Sequence, residues 1–222
     1  MINILLEGYG IGAVWLHHEL KKYIKPEHRA CVVALSFRDS VVKNAEDWDS
    51  LYAVGGKHYD GIVNGLRAYG IKKDAISFIN YYTDTSEVAK EKIKNADIVY
   101  FLGGLPDRMM DRIRELDLLD TLKAYDGIVM GYSAGALIQL SEYHLSPDKD
   151  YPEFKYDKGI GYIDSFYIEV HYNGEQIKKD SIIRVAKERK KRVYAVSLMS
   201  GAIIVDNGEI RLIGEVTERE RI

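Results

Sequence analysis

Apolar positions along this chain follow two rhythms. Unbroken runs rich in β-branched residues recur at Ile2–Leu6 and at residues 30–37, 75–79, 97–102 and 127–130. Runs of that length and composition read as strands buried on both faces. Between them the apolar spacing changes to three and four. Tyr59, Ile62, Val63, Leu66 and Tyr69 mark one helix, which Gly70 ends, and Met109, Met110, Ile113 and Leu116 line another. Thr85 or Ser86 caps a charged helix through Lys94, and Pro106 stands where a helix tolerates a missing N–H. A further helix runs from the first glycines through Tyr23. Strands alternating with helices predict a mainly parallel α/β sheet with helices on both faces.

The rhythm changes after Leu140. Residues 141–161 are polar and turn-rich, a long excursion of the kind that usually serves function. Residues 165–170 form a strand ending at His171, and a cationic helix follows from about Glu175 to Arg192. Strands are expected at 193–197, 201–206 and 209–213. The last two are joined by Asn207-Gly208, a hairpin signal. With no linker and no internal repeat, residues 1–222 read as a single domain.

Gly131-Tyr132-Ser133-Ala134-Gly135 lies between a buried strand and a run of helix formers at 134–140. A G-x-S-x-G string in that context describes a nucleophile elbow, in which a sharp turn projects the serine from the end of the sheet. Glycines on either side relieve the crowding of such a turn. The competing reading is a tight strand-to-helix turn whose serine merely caps the helix. A second glycine loop, Gly8-Tyr9-Gly10-Ile11-Gly12-Ala13, follows the first strand. It is a relaxed dinucleotide fingerprint, but the second strand ends in Ser36-Phe37-Arg38-Asp39 without the expected acid on the ribose. A tight turn is the better reading there, and no cofactor is expected.

Composition narrows the classes. A chain of 222 residues, 46% hydrophobic and 29% charged, can bury a full core. A net charge of −3 argues against nucleic acid or an anionic membrane as partner. The one cysteine, Cys31, sits in an apolar run and reads as a buried thiol, and no metal-type spacing occurs. Neither a cationic leader nor a membrane-length apolar stretch is seen, so the cytoplasm is the expected location.

Acyl transfer requires a nucleophile, a base, a group that orients the base, and donors for the oxyanion. Ser133 is the candidate nucleophile. The Ala134 N–H is one donor, and Gly103-Gly104, ending the preceding parallel strand, offers a second. Of the 6 histidines, His171 stands out because it ends a strand after the elbow.

Three segments then make a resemblance: Asn95-Ala-Asp-Ile-Val-Tyr-Phe-Leu-Gly-Gly104, Gly131-Tyr-Ser-Ala-Gly-Ala136, and Ile168-Glu-Val-His-Tyr172 before a basic helix. In order and spacing, over roughly residues 75–210, the chain resembles the peptidase E family of aspartyl dipeptidases and cyanophycinases. The resemblance implies a serine hydrolase on a class I glutamine amidotransferase-like (flavodoxin-like, three-layer) fold, with Ser133 as nucleophile and His171 as base. The chain departs from the family at Leu105-Pro106, where a third glycine and an asparagine are usual. The family's asparagine is expected near the substrate, so its replacement leaves open whether the chain shares the aspartyl dipeptide specificity, with an acidic N-terminal residue one option. The expected activity is a serine exopeptidase or dipeptidase for small peptides, in a monomer or homodimer. The contrasting class is a non-catalytic amidotransferase-like binding protein that keeps the elbow as architecture.

Two carboxylates compete to orient His171. Asp206 ends a strand at the distance where the family carries a carboxylate, and Asp148 lies in the polar loop where family members carry an aspartate. Rigid placement favours Asp206, with Asp148 next. Glu169 is close in sequence but would sit beside His171 on the same strand face. Lys178, Lys179 and Arg184 could hold a substrate carboxylate, although a solvated basic helix face explains them too.

Overall fold

In this computed structural model, residues 1–8 and 10–219 are described, with the side chain of Met199 left aside. The glycine loop after the first strand therefore includes one position, Tyr9, that lies outside the described residues. In chain order the first half comprises β1 (Ile2–Leu6), α1 (Val14–Leu20), β2 (Ala30–Val33), α2 (Ala45–Tyr52), α3 (Tyr59–Arg67), β3 (Ile76–Ile79), α4 (Ser86–Lys94) and β4 (Ile98–Phe101). The second half comprises α5 (Pro106–Glu115), α6 (Leu119–Lys123), β5 (Ile128–Tyr132), α7 (Ala134–Leu137), β6 (Glu142–Leu145), β7 (Lys155–Lys158), β8 (Phe166–Tyr172), α8 (Gln176–Arg189), β9 (Arg192–Asp206) and β10 (Glu209–Arg219).

The main sheet has eight strands along the path β10-β9-β1-β5-β4-β2-β3, with β8 paired to β9. Five strands (β1, β5, β4, β2 and β3) run parallel, β9 is antiparallel to β1, and β10 folds back on β9 as the C-terminal hairpin. Because side chains alternate across a strand, each parallel strand feeds two cores. Leu5, Val33, Val99, Phe101 and Val129 face α4, α5, α6 and α7 through Ala89, Ile93, Met109, Met110, Ile113, Leu122 and Leu137. Ile4, Leu6, Val32, Tyr100 and Met130 face the other way, onto Leu16, Leu20, Trp48, Ile62 and Leu66 of α1, α2 and α3. The result is the three-layer arrangement that the periodicity predicts. Cys31 is fully buried in the first core, and loss of solvent pushes its thiol up to about 12.

Several boundaries differ from the sequence reading. α1 ends at Leu20 and α7 is a short helix, stopping at Leu137. The polar excursion is not one open loop. β6 and β7 pair in it as a separate two-stranded antiparallel sheet, and α8 packs its Ile182, Val185 and Ala186 near this region against Tyr167, Val193 and Ala195. The expected strands at 193–197 and 201–206 join into the long β9, which turns from β8 as neighbour at one end to β1 at the other.

Candidate active site

The elbow is built by backbone crowding. Ser133 has φ 52° and ψ −115°, a conformation that a non-glycine residue adopts only when the surroundings enforce it. The enforcement comes from three close approaches. A Cβ on Gly131 would overlap the Gly135 carbonyl, and one on Gly135 would overlap the Phe101 carbonyl at the end of β4. Ser133 N–H donates to Leu6 O at 3.0 Å, tying the turn to the end of β1. From the other side, Gln139 donates to Ile4 O and Gly135 O and accepts from Asn3, all in the buried interior, so α7 is fixed to β1 as well.

His171 reaches this serine from β8. Pairing between β8 and β9 passes from Glu169↔Ala195 to Tyr172↔Ser197, one extra residue on β8, and His171 itself has φ 55°. Such a bulge re-aims a side chain that would otherwise follow the strand's alternation. Here it parts two residues that a regular strand would hold side by side. Glu169 is buried, whereas His171 has its side chain about half exposed, with Nε2 at 2.7 Å from Ser133 Oγ.

The carboxylate on the other ring nitrogen is Glu7. His171 Nδ1 hydrogen-bonds Glu7 Oε1, and Glu7 is 1% exposed. A carboxylate can only accept, so this contact assigns the proton to Nδ1 and leaves Nε2 free to take one from the serine. Asp206 is not brought there: it pairs in register with Ile2, at the opposite end of β1 from Glu7, and its side chain accepts from Asn207. The rigid strand end that favoured Asp206 is the wrong end of the sheet. Asp148 is closer, lining the same cavity as Ser133, but its Oδ1 accepts the N–H groups of Asp150 and Tyr151, which orders its own loop. The only sequence signal for Glu7 was a charged residue interrupting a buried run just where β1 reaches the active edge.

Gly104, Ser133 and Ala134 share one cavity of about 120 Å³ with Asp148, Asp150, Tyr151, Glu169, His171 and Lys178. Beneath it lies a buried polar cluster. His144 Nε2 and Glu169 Oε2 are 2.8 Å apart, Ser146 Oγ donates to the same oxygen at 2.5 Å, and Lys178 Nζ donates to Glu169 Oε1 at 2.7 Å and to Val170 O at 2.8 Å. Burial pushes the Glu169 carboxyl up, but the His144 hydrogen bond and charge, with Lys178, outweigh it and hold the group below its ordinary range. Lys178 thus reaches the cavity already paired. Arg184 does not reach it: its guanidinium stacks on Phe154 and its Nε bonds Glu188 one turn on. At the rim Arg38 pairs with Asp150, and Asp107 accepts from Tyr151 and Lys155.

A larger cavity of about 760 Å³ opens at the opposite edge of the sheet, lined by His28, Asp97, Asp126 and Gly127 among others. No serine or cysteine is among the residues that line it. Among the described residues no cluster of three or more His, Cys, Asp or Glu is placed to hold a metal. No helix among them is long and apolar enough to cross a membrane.

The family model of peptidase family S51 matches residues 54–213. The chain belongs to this family. It is therefore a peptide hydrolase of the serine type, as the elbow and its histidine lead one to expect. No curated protein matches this family S51 chain by sequence. Among solved structures, it is similar to a candidate peptidase E protein from Listeria monocytogenes EGD-e, with TM-score 0.65 and 15% identity over 96% of this chain and 98% of that one. It is also similar to a peptidase from an acI-B1 Actinobacterium, with TM-score 0.64 and 14% identity over 99% and 93%. At such identities these two establish a shared fold, and the S51 match carries the family.

Proposed function

We propose that this S51 peptidase is an exopeptidase of short peptides that works through an acyl-enzyme on Ser133. The reading rests on one observation: the unbroken contact from Ser133 Oγ to His171 Nε2, and from His171 Nδ1 to buried Glu7. In this mechanism His171 Nε2 takes the serine proton as Oγ attacks the scissile carbonyl. Glu7 holds the Nδ1 proton and stabilises the imidazolium. The oxyanion of the tetrahedral intermediate faces the N–H groups of Ala134 and Gly104. His171 then returns the proton to the leaving amine, and water enters to hydrolyse the ester by the same route.

The size and charge of the cavity support a short substrate with a free amino terminus. About 120 Å³ accommodates roughly one small residue, not an extended chain. Lys178 is paired to Glu169 and Asp150 to Arg38, so the unpaired charge on the cavity wall is Asp148, whose Oδ2 is free among the described residues. A carboxylate there suits an α-ammonium. Among the described residues the cavity wall carries no unpaired cation to favour an acidic side chain.

The test is labelling with a serine-directed phosphonate, followed by turnover of a dipeptide library. Wild type should be labelled and active; Ser133→Ala should be neither, while keeping its thermal stability. Unchanged turnover in the folded variant would remove this serine from the mechanism.

A further inference from the structure

Gly103 and Gly104 follow β4; the Tyr132 ring packs on Gly103, and the polar contacts of the pair run to Ser36. Ser36 is 1% exposed, just past the end of β2. Its Oγ donates to Gly103 O at 2.6 Å, and its own carbonyl accepts the Leu105 N–H at 2.8 Å. The contact is close: Gly104 has φ +144°, and a Cβ there would overlap the Ser36 carbonyl oxygen. In a trans peptide the C=O and the following N–H point in opposite directions. With the Gly103 carbonyl turned onto Ser36, the Gly104 N–H is turned away from it. That N–H has no acceptor among the described residues, and Gly104 lines the cavity with Ser133 and Ala134.

Ser36 is itself held. Arg112, buried on α5, donates from Nη1 to Leu35 O at 2.6 Å and to Phe37 O at 2.9 Å. In extended chain alternate carbonyls point to opposite sides, so binding those two leaves the Ser36 carbonyl directed at the glycine loop. The guanidinium also lies 3.6 Å from the Phe37 ring centroid and pairs with Asp39.

We propose that Ser36 is a positioning residue of the oxyanion hole: its hydroxyl pins the Gly103–Gly104 peptide so that the Gly104 N–H, and not the Gly103 carbonyl, faces the developing negative charge. The inference rests on the acyl-enzyme reading above. The physical need is plain. A peptide between two glycines turns over easily, because neither residue's side chain restricts φ or ψ. A turned peptide would present an acceptor to the oxyanion, replacing attraction with repulsion. Ser36 is buried and does not line the cavity, so it acts through the main chain.

The experiment compares wild type with Ser36→Ala on the best dipeptide from the library. It measures kcat, KM, affinity for the corresponding peptide aldehyde, and affinity for the product amino acids. The aldehyde forms a hemiacetal on Ser133 and so fills the oxyanion hole, whereas the products do not. In Ser36→Ala, kcat and aldehyde affinity should fall together by about ten- to a hundredfold, below the full loss of a donor. KM and product affinity should stay within about twofold. Should Ser36→Ala fail to fold, Ser36→Cys, with a far weaker donor, should give the same split. A kcat within about threefold of wild type would overturn the proposal, as would a loss shared equally by KM and product affinity. If wild type is neither labelled nor active, the acyl-enzyme reading falls and this inference with it. An active wild type with an unaffected variant removes only the role of Ser36.

Discussion

Glu7 and Ser133 occupy equivalent positions on neighbouring strands. Leu6 and Tyr132 end β1 and β5 in register, and the next residue on each is a member of the candidate site. The Ser133 N–H, bonded to Leu6 O, closes the two ends together. His171 arrives from β8 and spans the gap, with one ring nitrogen on each partner. The acid and the nucleophile are thus held by the same sheet edge, which fixes their separation more firmly than a loop could.

That relationship predicts which carboxylate matters. Glu7→Gln keeps the shape but loses the charge and can stabilise the wrong imidazole tautomer, so kcat should fall by roughly a thousandfold or more. Asp206→Asn, at the far end of β1, should leave kcat within about twofold. Steady-state kinetics of the two folded variants decides the matter. A near-silent Glu7→Gln would sink the assignment.

Asp148 should behave as a substrate contact. Asp148→Asn keeps the Oδ1 that orders the loop but removes the charge proposed to meet the α-ammonium. KM should rise about tenfold with kcat little changed, the pattern of lost ground-state binding. N-acetylation of the peptide should abolish turnover by wild type. Equal rates on free and acetylated peptides would exclude the exopeptidase reading.

The buried cluster under the cavity should appear in stability. Glu169→Gln leaves Lys178 with its charge unpaired in a largely buried place, at a cost of about 3 kcal/mol. Because the folded-state carboxyl of Glu169 is held below its ordinary 4.5, its contribution is present above that value and disappears as pH falls through the lowered one. The gap in melting temperature between wild type and Glu169→Gln should therefore be full at neutral pH and shrink in acid. A gap independent of pH from neutrality to about pH 3 would contradict this assignment.

Gly135→Ala should be poorly tolerated although alanine suits helices. Its Cβ would overlap the Phe101 carbonyl, which is backbone and cannot swing aside. The expected loss is about 1–3 kcal/mol, together with displacement of the elbow and of activity. Denaturant unfolding and kinetics on the same preparation test both parts. A stable, fully active variant would mean that α7 can move without disturbing Ser133.

What the sequence by itself determined is what depends on neighbours along the chain. Unbroken apolar runs and the three-to-four spacing separated strands from helices, and Gly131-Tyr132-Ser133-Ala134-Gly135 marked the elbow, because a sharp turn's steric demands fall on adjacent residues. His171 was legible for a similar reason, at the end of a strand next to a basic helix. The partner of His171 was not. Which carboxylate meets it depends on β1 lying between β5 and β9, a strand order that no local pattern encodes. In that order the end of β1 that carries Glu7 is at the site and the end beside Asp206 is not. The bulge that separates Glu169 from His171, and the hydroxyl of Ser36 on Gly103, were decided in the same way. Both arise where two segments distant in sequence pack together, so their geometry exists only once the sheet has formed.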